Sequence, residues 1–213
     1  MSRPDESIDP AEVGCQLLLF GPPRVEPFVE QLDAALAEGG IAGFVLPVRA
    51  ITPTADSALV ARSMRAICAE RGVAFLLQAE PVTALEIGAD GVHIAGGGTE
   101  VAACRATLGG ERILGVSCGH SRDAAMVAGD AGADYVAFGD LDQPPGPELY
   151  DLLTWWHELF VLPCLAEAAI TIEDGARLAR AGADFVAAGE AVWRHPEGAA
   201  AAIRRLREAL QAA

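Results

Sequence analysis

Two histidines, one serine and a set of carboxylates stand where chemistry is conceivable. His93 lies inside the apolar run Gly91–Ile94, and Ser117 closes the next run, followed by Cys118, Gly119 and His120. His120, placed just after that run, is the acid–base candidate, with a solvated loop histidine as the plain alternative. Ser117 either binds a substrate oxygen or caps the next helix. His93 either points at a ligand or is a core histidine bonded to a carbonyl. Asp140, Glu167 and Glu190 each stand close to the end of an apolar run. Carboxylates meeting in one confined mouth raise one another's pKa, and would suit a metal or a protonated nitrogen heterocycle; a solvated acidic rim is the other reading. Arg49 is the cation that could hold a phosphate or pair with a neighbouring carboxylate. Cys118 and Cys164 have no partner at ligand spacing, so no soft-metal site is expected.

The elements that must position these groups are announced by a repeated phrase. Gly88-Ala89-Asp90, Gly132-Ala133-Asp134 and Gly182-Ala183-Asp184 each end a helix-like stretch and open a short apolar run. The glycine suits a left-handed helix C-cap and the aspartate a tight turn. Eight strands are predicted at 16–20, 44–48, 73–77, 91–94, 112–116, 135–138, 160–165 and 185–188. Helical stretches lie between them. Ser121 with Asp123 reads as an N-cap with an acidic first turn, and Thr171 with Asp174 as a capping box. Pro196 suits the first turn of a last helix running to about Leu210. Regular βα alternation predicts a parallel sheet, and eight pairs in one domain predict a single (β/α)8 TIM barrel. An open doubly wound sheet is the alternative, and no Gly-x-Gly-x-x-Gly follows the first strand to support it. In a barrel, function sits where strands end, so the Gly-Ala-Asp turns, which enter strands, are structural.

Composition narrows the function classes. Of 213 residues, 15 are Lys or Arg and 30 are Asp or Glu, a formal charge of −15. That opposes nucleic acid and anionic membranes. The five cysteines are scattered and odd in number, as expected of reduced thiols in a cytoplasmic protein. Residues 1–12 read as a loose charged segment without the features of a signal peptide, and 13–213 as the barrel domain. No apolar run is long enough to span a membrane. Trp155-Trp156-His157 predicts one tryptophan turned inward and one toward a partner, which would give a homodimer face.

The phrases Gly88-Ala89-Asp90-Gly91-Val92-His93-Ile94, Ile113-Leu114-Gly115-Val116-Ser117, Gly132-Ala133-Asp134-Tyr135-Val136 and Gly182-Ala183-Asp184-Phe185-Val186 resemble, in order and spacing, the thiamine phosphate synthase family, which also contains thiazole tautomerases. The resemblance implies a barrel that joins a pyrimidine diphosphate to a thiazole phosphate and releases diphosphate, with Mg²⁺ neutralising the leaving group. It implies Ser117, His93 and Arg49 as surviving contacts, and the remaining strand-end residues Gln78, Glu80, Asp140, Glu167, Gly189 and Glu190 are further ligand-binding candidates.

The chain departs from the family pattern at the polyphosphate end. Where the family has Asn-Asp-Arg after strand three, this chain has Gln78-Ala79-Glu80; where it has Gly-Gln and a second aspartate, Ala95-Gly96-Gly97-Gly98. Both implied Mg²⁺ carboxylates are thus absent, with Glu80 as the one evident replacement. The Thr-x-Thr-Lys loop is replaced by Asp140–Gly146, the Gly-Gly after strand seven by Ala168-Ala169, and the small residues after strand eight by Gly189-Glu190. The family histidine after Gly-Val-Ser comes one residue late, as His120. Three readings follow: weak synthase activity; a metal-free tautomerase or isomerase with His120 as base; and a non-catalytic paralogue binding a heterocycle or a partner.

Overall fold

The computed structural model describes residues 14–22, 29–47 and 55–213, without the side chains of 55–57. Arg49 and the expected N-terminal segment lie outside the described residues. Eight strands close on one another in chain order: β1 Gln16–Phe20, β2 Ile41–Pro47, β3 Ala74–Gln78, β4 Gly91–Ala95, β5 Ile113–Ser117, β6 Tyr135–Asp140, β7 Cys164–Ala168 and β8 Phe185–Ala188. Every pairing is parallel, including the closing one of β1 with β8, so the open sheet is excluded and the barrel is the fold. The helices described between them are α1 Val29–Leu36, α2 Ala55–Glu70, α3 Pro81–Ile87, α4 Gly98–Leu108, α5 Arg122–Asp130, α6 Pro147–Leu159, α7 Ile172–Arg180, α8 Glu190–Trp193 and α9 Ala199–Gln211.

Two cores result. The larger lies between sheet and helices, where strand residues such as Leu17, Phe44, Phe75, Val92, Leu114 and Phe138 meet the apolar faces of the helices. The smaller fills the barrel: Leu18, Phe20, Val45, Leu76, Tyr135, Ala137, Leu165 and Ala187. Large and small side chains share that interior. An ideal Cβ on Gly115 would stand 2.0 Å from Cζ of Tyr135, so the glycine of β5 makes the room that the tyrosine of β6 fills.

The repeated phrase does one job three times. Gly88, Gly132 and Gly182 take φ of 77°, 95° and 102°, the left-handed turn out of a helix that glycine adopts without strain. The aspartate then reaches back to the preceding strand. Phe75 N–H donates to Asp90 Oδ2 at 2.8 Å, Leu114 N–H to Asp134 Oδ2 at 2.7 Å, and Cys164 N–H to Asp184 Oδ2 at 2.8 Å. Each carboxylate thereby pairs a strand-entry amide that begins a parallel ladder. The phrase recurs at every second βα unit because each copy ties an even strand to the odd one before it. These ties lie at strand entrances, opposite the end where chemistry is expected.

Several boundaries differ from the sequence expectation: strand two begins at Ile41, three residues early, and strands three, four and five differ by one residue at one end or both. Strand seven begins at Cys164, and Phe160 terminates α6 instead, its ring stacked on Trp156 with centroids 4.0 Å apart. Trp156 Nε1–H donates to Leu162 O at 2.7 Å, so the apolar run 160–163 serves helix α6 rather than the sheet. Strand six runs on to Asp140. Pro196 lies in the turn between α8 and α9, and the last helix starts after Gly198, whose φ is 89°. The predicted caps formed: Ser121 accepts from Ala124 N–H at 3.1 Å, and Thr171 with Asp174 closes the full capping box. Among the described residues no helix is long and apolar enough to cross a membrane.

Candidate functional site

The strand ends open into a cavity of about 1110 Å³ lined by Phe20, Pro47, Gln78, Leu141, Gly189 and Trp193, among others. Phe20 and Pro47 are apolar walls, Gln78 supplies an amide, and Gly189 leads into α8. Trp193 Nε1–H donates to Phe20 O at 2.6 Å, which fastens α8 over the end of β1. The loop after β6 closes another side. Asp142 N–H donates to Asp140 Oδ1 at 2.9 Å, and Ala169 N–H donates to Gln143 O at 2.7 Å. The amide following β7 is therefore consumed by the chain itself.

Below this mouth lies a polar assembly inside the barrel. His93 is fully buried and Glu167 nearly so. His93 Nδ1 lies 2.8 Å from the Tyr135 hydroxyl. Its Nε2 lies 2.8 Å from Ser117 Oγ and 2.8 Å from Glu167 Oε1. Ser117 Oγ–H donates to Glu167 Oε2 at 2.8 Å. Strands β4, β5, β6 and β7 each contribute one member, Ser117 as the last residue of β5 and Tyr135 as the first of β6. Phe20 packs edge-on against the imidazole at 5.4 Å, and Tyr135 stacks beside it at 5.7 Å. Burial, with the negative charges of Glu167 and Asp134, pushes the Tyr135 hydroxyl well above its usual range, so it stays a proton donor. Buried polar groups persist only when paired, and here four pair with one another.

This arrangement decides several sequence alternatives. His93 is a core histidine, yet its partners are side chains rather than a carbonyl. Ser117 does not cap α5, a role taken by Ser121, and it is the half-buried end of the assembly. Glu167 points into the barrel instead of standing on the rim. The three carboxylates expected together at the mouth are separated: Asp140 is exposed and tied into its turn, and Glu190 is exposed and paired with Arg194 at 2.8 Å. His120 is exposed in the turn after β5, and its side chain makes no hydrogen bond or ion pair with the described residues. Gln78 and Gly189 line the cavity; Glu80 is exposed ahead of α3. Tyr135 is the member that sequence reasoning missed. Its signal was available, since Gly115 and Tyr135 pair across β5 and β6 as a void and its filler.

Among the described residues no three His, Cys, Asp or Glu side chains converge on a point that could hold a metal ion. Glu80 stands alone, Glu167 spends both oxygens on His93 and Ser117, and Asp140 caps its own turn. The described residues therefore do not fit the Mg²⁺ site that the resemblance implied. Cys118 is buried, and burial pushes its thiol up to about 12, away from a reactive thiolate.

Fold and site define a (β/α)8 barrel with a ligand-sized cavity at its strand ends and acid–base side chains beneath it. The family model described as thiamine monophosphate synthase matches residues 18–192, and the chain belongs to that family. A protein of Rhodospirillum centenum named thiamine-phosphate synthase is 39% identical over 198 residues, covering 89% of this chain and 94% of that one. One of the same name from Erythrobacter litoralis is 38% identical over 203 residues, covering 89% and 93%. Among solved structures, thiamine phosphate pyrophosphorylase from Pyrococcus furiosus superposes with a TM-score of 0.80 at 22% identity, over 92% of this chain and 96% of that one. The likeness extends to a geranylgeranylglyceryl phosphate synthase from Thermoplasma acidophilum, TM-score 0.70 at 12% identity over 94% of each chain, where it concerns the fold alone.

Proposed function

We propose that the protein acts in thiamine biosynthesis at the step its relatives are named for, taking its heterocyclic precursors at the strand-end mouth. The observation that carries this is the cavity walled by Phe20 and Pro47 and edged by Gln78 and Gly189, with Ser117 of Gly-Val-Ser at the neighbouring strand end. Apolar walls with a few fixed polar groups suit a small heteroaromatic ring. The polyphosphate end is weak: the amide after β7 is occupied, Glu190 stands beside the cavity, and Arg194 is already paired. Turnover is therefore slow compared with a synthase that keeps both metal-binding aspartates. With its net charge the protein works in the cytoplasm on small molecules, apart from nucleic acid, and pairs as a homodimer through the α6 face.

A second reading rests on a specific observation. The Tyr135–His93–Glu167–Ser117 assembly is acid–base equipment that needs no metal, and it would serve an isomerase of related heterocycles better than exposed His120. Product formation by the purified protein, from pyrimidine diphosphate and thiazole phosphate with and without Mg²⁺, separates the two. Thiamine phosphate formed at a measurable rate supports the synthase. No product from protein verified as folded removes that reading and leaves the isomerase and the non-catalytic binder.

A further inference from the structure

We infer that two copies of this chain pair across a two-fold axis beside Met126, their α5 helices antiparallel and Arg122 of each copy set against the partner's Asp130. The inference rests on the homodimer reading above and names the residues that make that face; none of the three lines the strand-end cavity.

Helix α5 carries two charges against its own dipole. Arg122 is its first residue and Asp130 its last. A helix start favours a carboxylate and a helix end a cation. Asp123 obeys that rule, whereas Arg122 and Asp130 both break it. Both are exposed, and neither makes an ion pair with the described residues. Arg122, Met126 and Asp130 are spaced by four, so they form one row along the helix, a cation, a thioether and an anion, with Met126 itself exposed. A parallel copy of that row would set like charge on like charge. Turned end for end about its middle, the row matches itself: both ends pair and the apolar centres meet. That is the self-complementarity a closed two-fold contact requires. The Arg122 guanidinium lies 4.5 Å over the Trp155 ring, which holds it in place and leaves its N–H edge for a carboxylate.

The surroundings are those of an interface. Beside Met126 and Asp130 runs a groove of about 320 Å³ walled by Trp156, Phe160 and Leu162, with Val161 fully exposed at its edge. Apolar surface of this kind, rimmed by charge, marks a contact site. A basic partner would suit the formal charge of −15 but would meet Arg122 with like charge. A second copy of this chain satisfies Arg122 and Asp130 together.

Sedimentation velocity of the full chain tests this. The wild type is expected to dimerise. Arg122→Asp and Asp130→Arg should each weaken the dimer about tenfold, because both symmetry-related pairs turn repulsive. Either swap suits the helix dipole, so the fold is not at risk. In Arg122→Asp/Asp130→Arg the pairs are opposite again, and affinity should return to within about threefold of the wild type. An equimolar mixture of the two single variants should also dimerise, since one presents two anions and the other two cations. Met126→Lys should remove the dimer while the circular dichroism spectrum stays unchanged. A wild type that remains monomeric overturns the inference together with the homodimer reading. A dimer indifferent to both single swaps overturns the α5 pairing and leaves a homodimer by another face. So does a double variant or a mixture that stays monomeric, or a dimer broken by Leu85→Lys on exposed α3 surface and not by Met126→Lys.

Discussion

Removing His93 should cost far more than removing Glu167, although the two side chains touch. The buried charge of the assembly resides on Glu167, whose side chain is only 5% exposed. In His93→Leu that carboxylate keeps Ser117 as a partner but loses the imidazole N–H, and Tyr135 loses its acceptor. Stripping one partner from a buried ionic group costs about 3–5 kcal/mol. In Glu167→Leu no charge remains, and His93 Nε2–H still has Ser117 Oγ at 2.8 Å, so the loss is about 1 kcal/mol. The double variant leaves only the tyrosine hydroxyl unpaired, at about 1–3 kcal/mol. It should therefore be more stable than His93→Leu, by about 2 kcal/mol, despite carrying the extra substitution. Urea unfolding of the four proteins, fitted with a common slope, measures this. A His93→Leu loss below about 1 kcal/mol, or a double variant no more stable than the single, would show that the carboxylate carries no buried charge.

Two further outcomes test the scaffold. Gly115→Ala places a methyl 2.0 Å from Tyr135 Cζ, with the ring held between His93 and Phe185. Overpacking of this kind costs about 1–3 kcal/mol, and trimming the neighbour in Gly115→Ala/Tyr135→Phe should not restore stability, because the ring itself is in the way; recovery in the double variant would refute the stated clash. The thiols of Cys15, Cys68, Cys118 and Cys164 are each pushed up from 9.0 to about 12, chiefly by burial. In the unfolded chain they ionise near 9.0, so their contribution is whole below that pH and is lost as pH rises toward 12. Each thiol should then cost about 1.4 kcal/mol per pH unit in that window. Denaturant midpoints that stay flat from pH 8.5 to 10.5, ~2 units across the unfolded thiol value, would contradict the burial.

The barrel was legible because its signals are local. A glycine that must turn left-handed and an aspartate that must reach one strand back are written within three residues, and the three copies marked the strand entrances correctly. Capping by Ser121 and Thr171 was equally readable. Strand seven was misplaced because an apolar run carries no label for what it packs against. Phe160, Val161 and Leu162 could have been strand; instead Phe160 stacks on Trp156, and Val161 is fully exposed. That error of a few residues moved Glu167 from strand to rim, and with it the expected chemistry. Position in a strand decides whether a carboxylate meets water or a neighbouring side chain, and the difference here is one pleat.

The site follows a consistent trade. Where the family pattern places groups for polyphosphate, this chain has closed its own hydrogen bonds: Ala169 N–H to Gln143, Arg194 to Glu190, Asp142 N–H to Asp140. Inside the barrel it has installed a carboxylate, an imidazole and a phenol. A buried carboxylate is costly unless paired; Glu167 pairs with His93 and Ser117, His93 with Tyr135, and Gly115 leaves room for the Tyr135 ring. Four strands thus share one constraint. A change at any of the four network side chains, or at Gly115, therefore disturbs the pairing of the buried carboxylate.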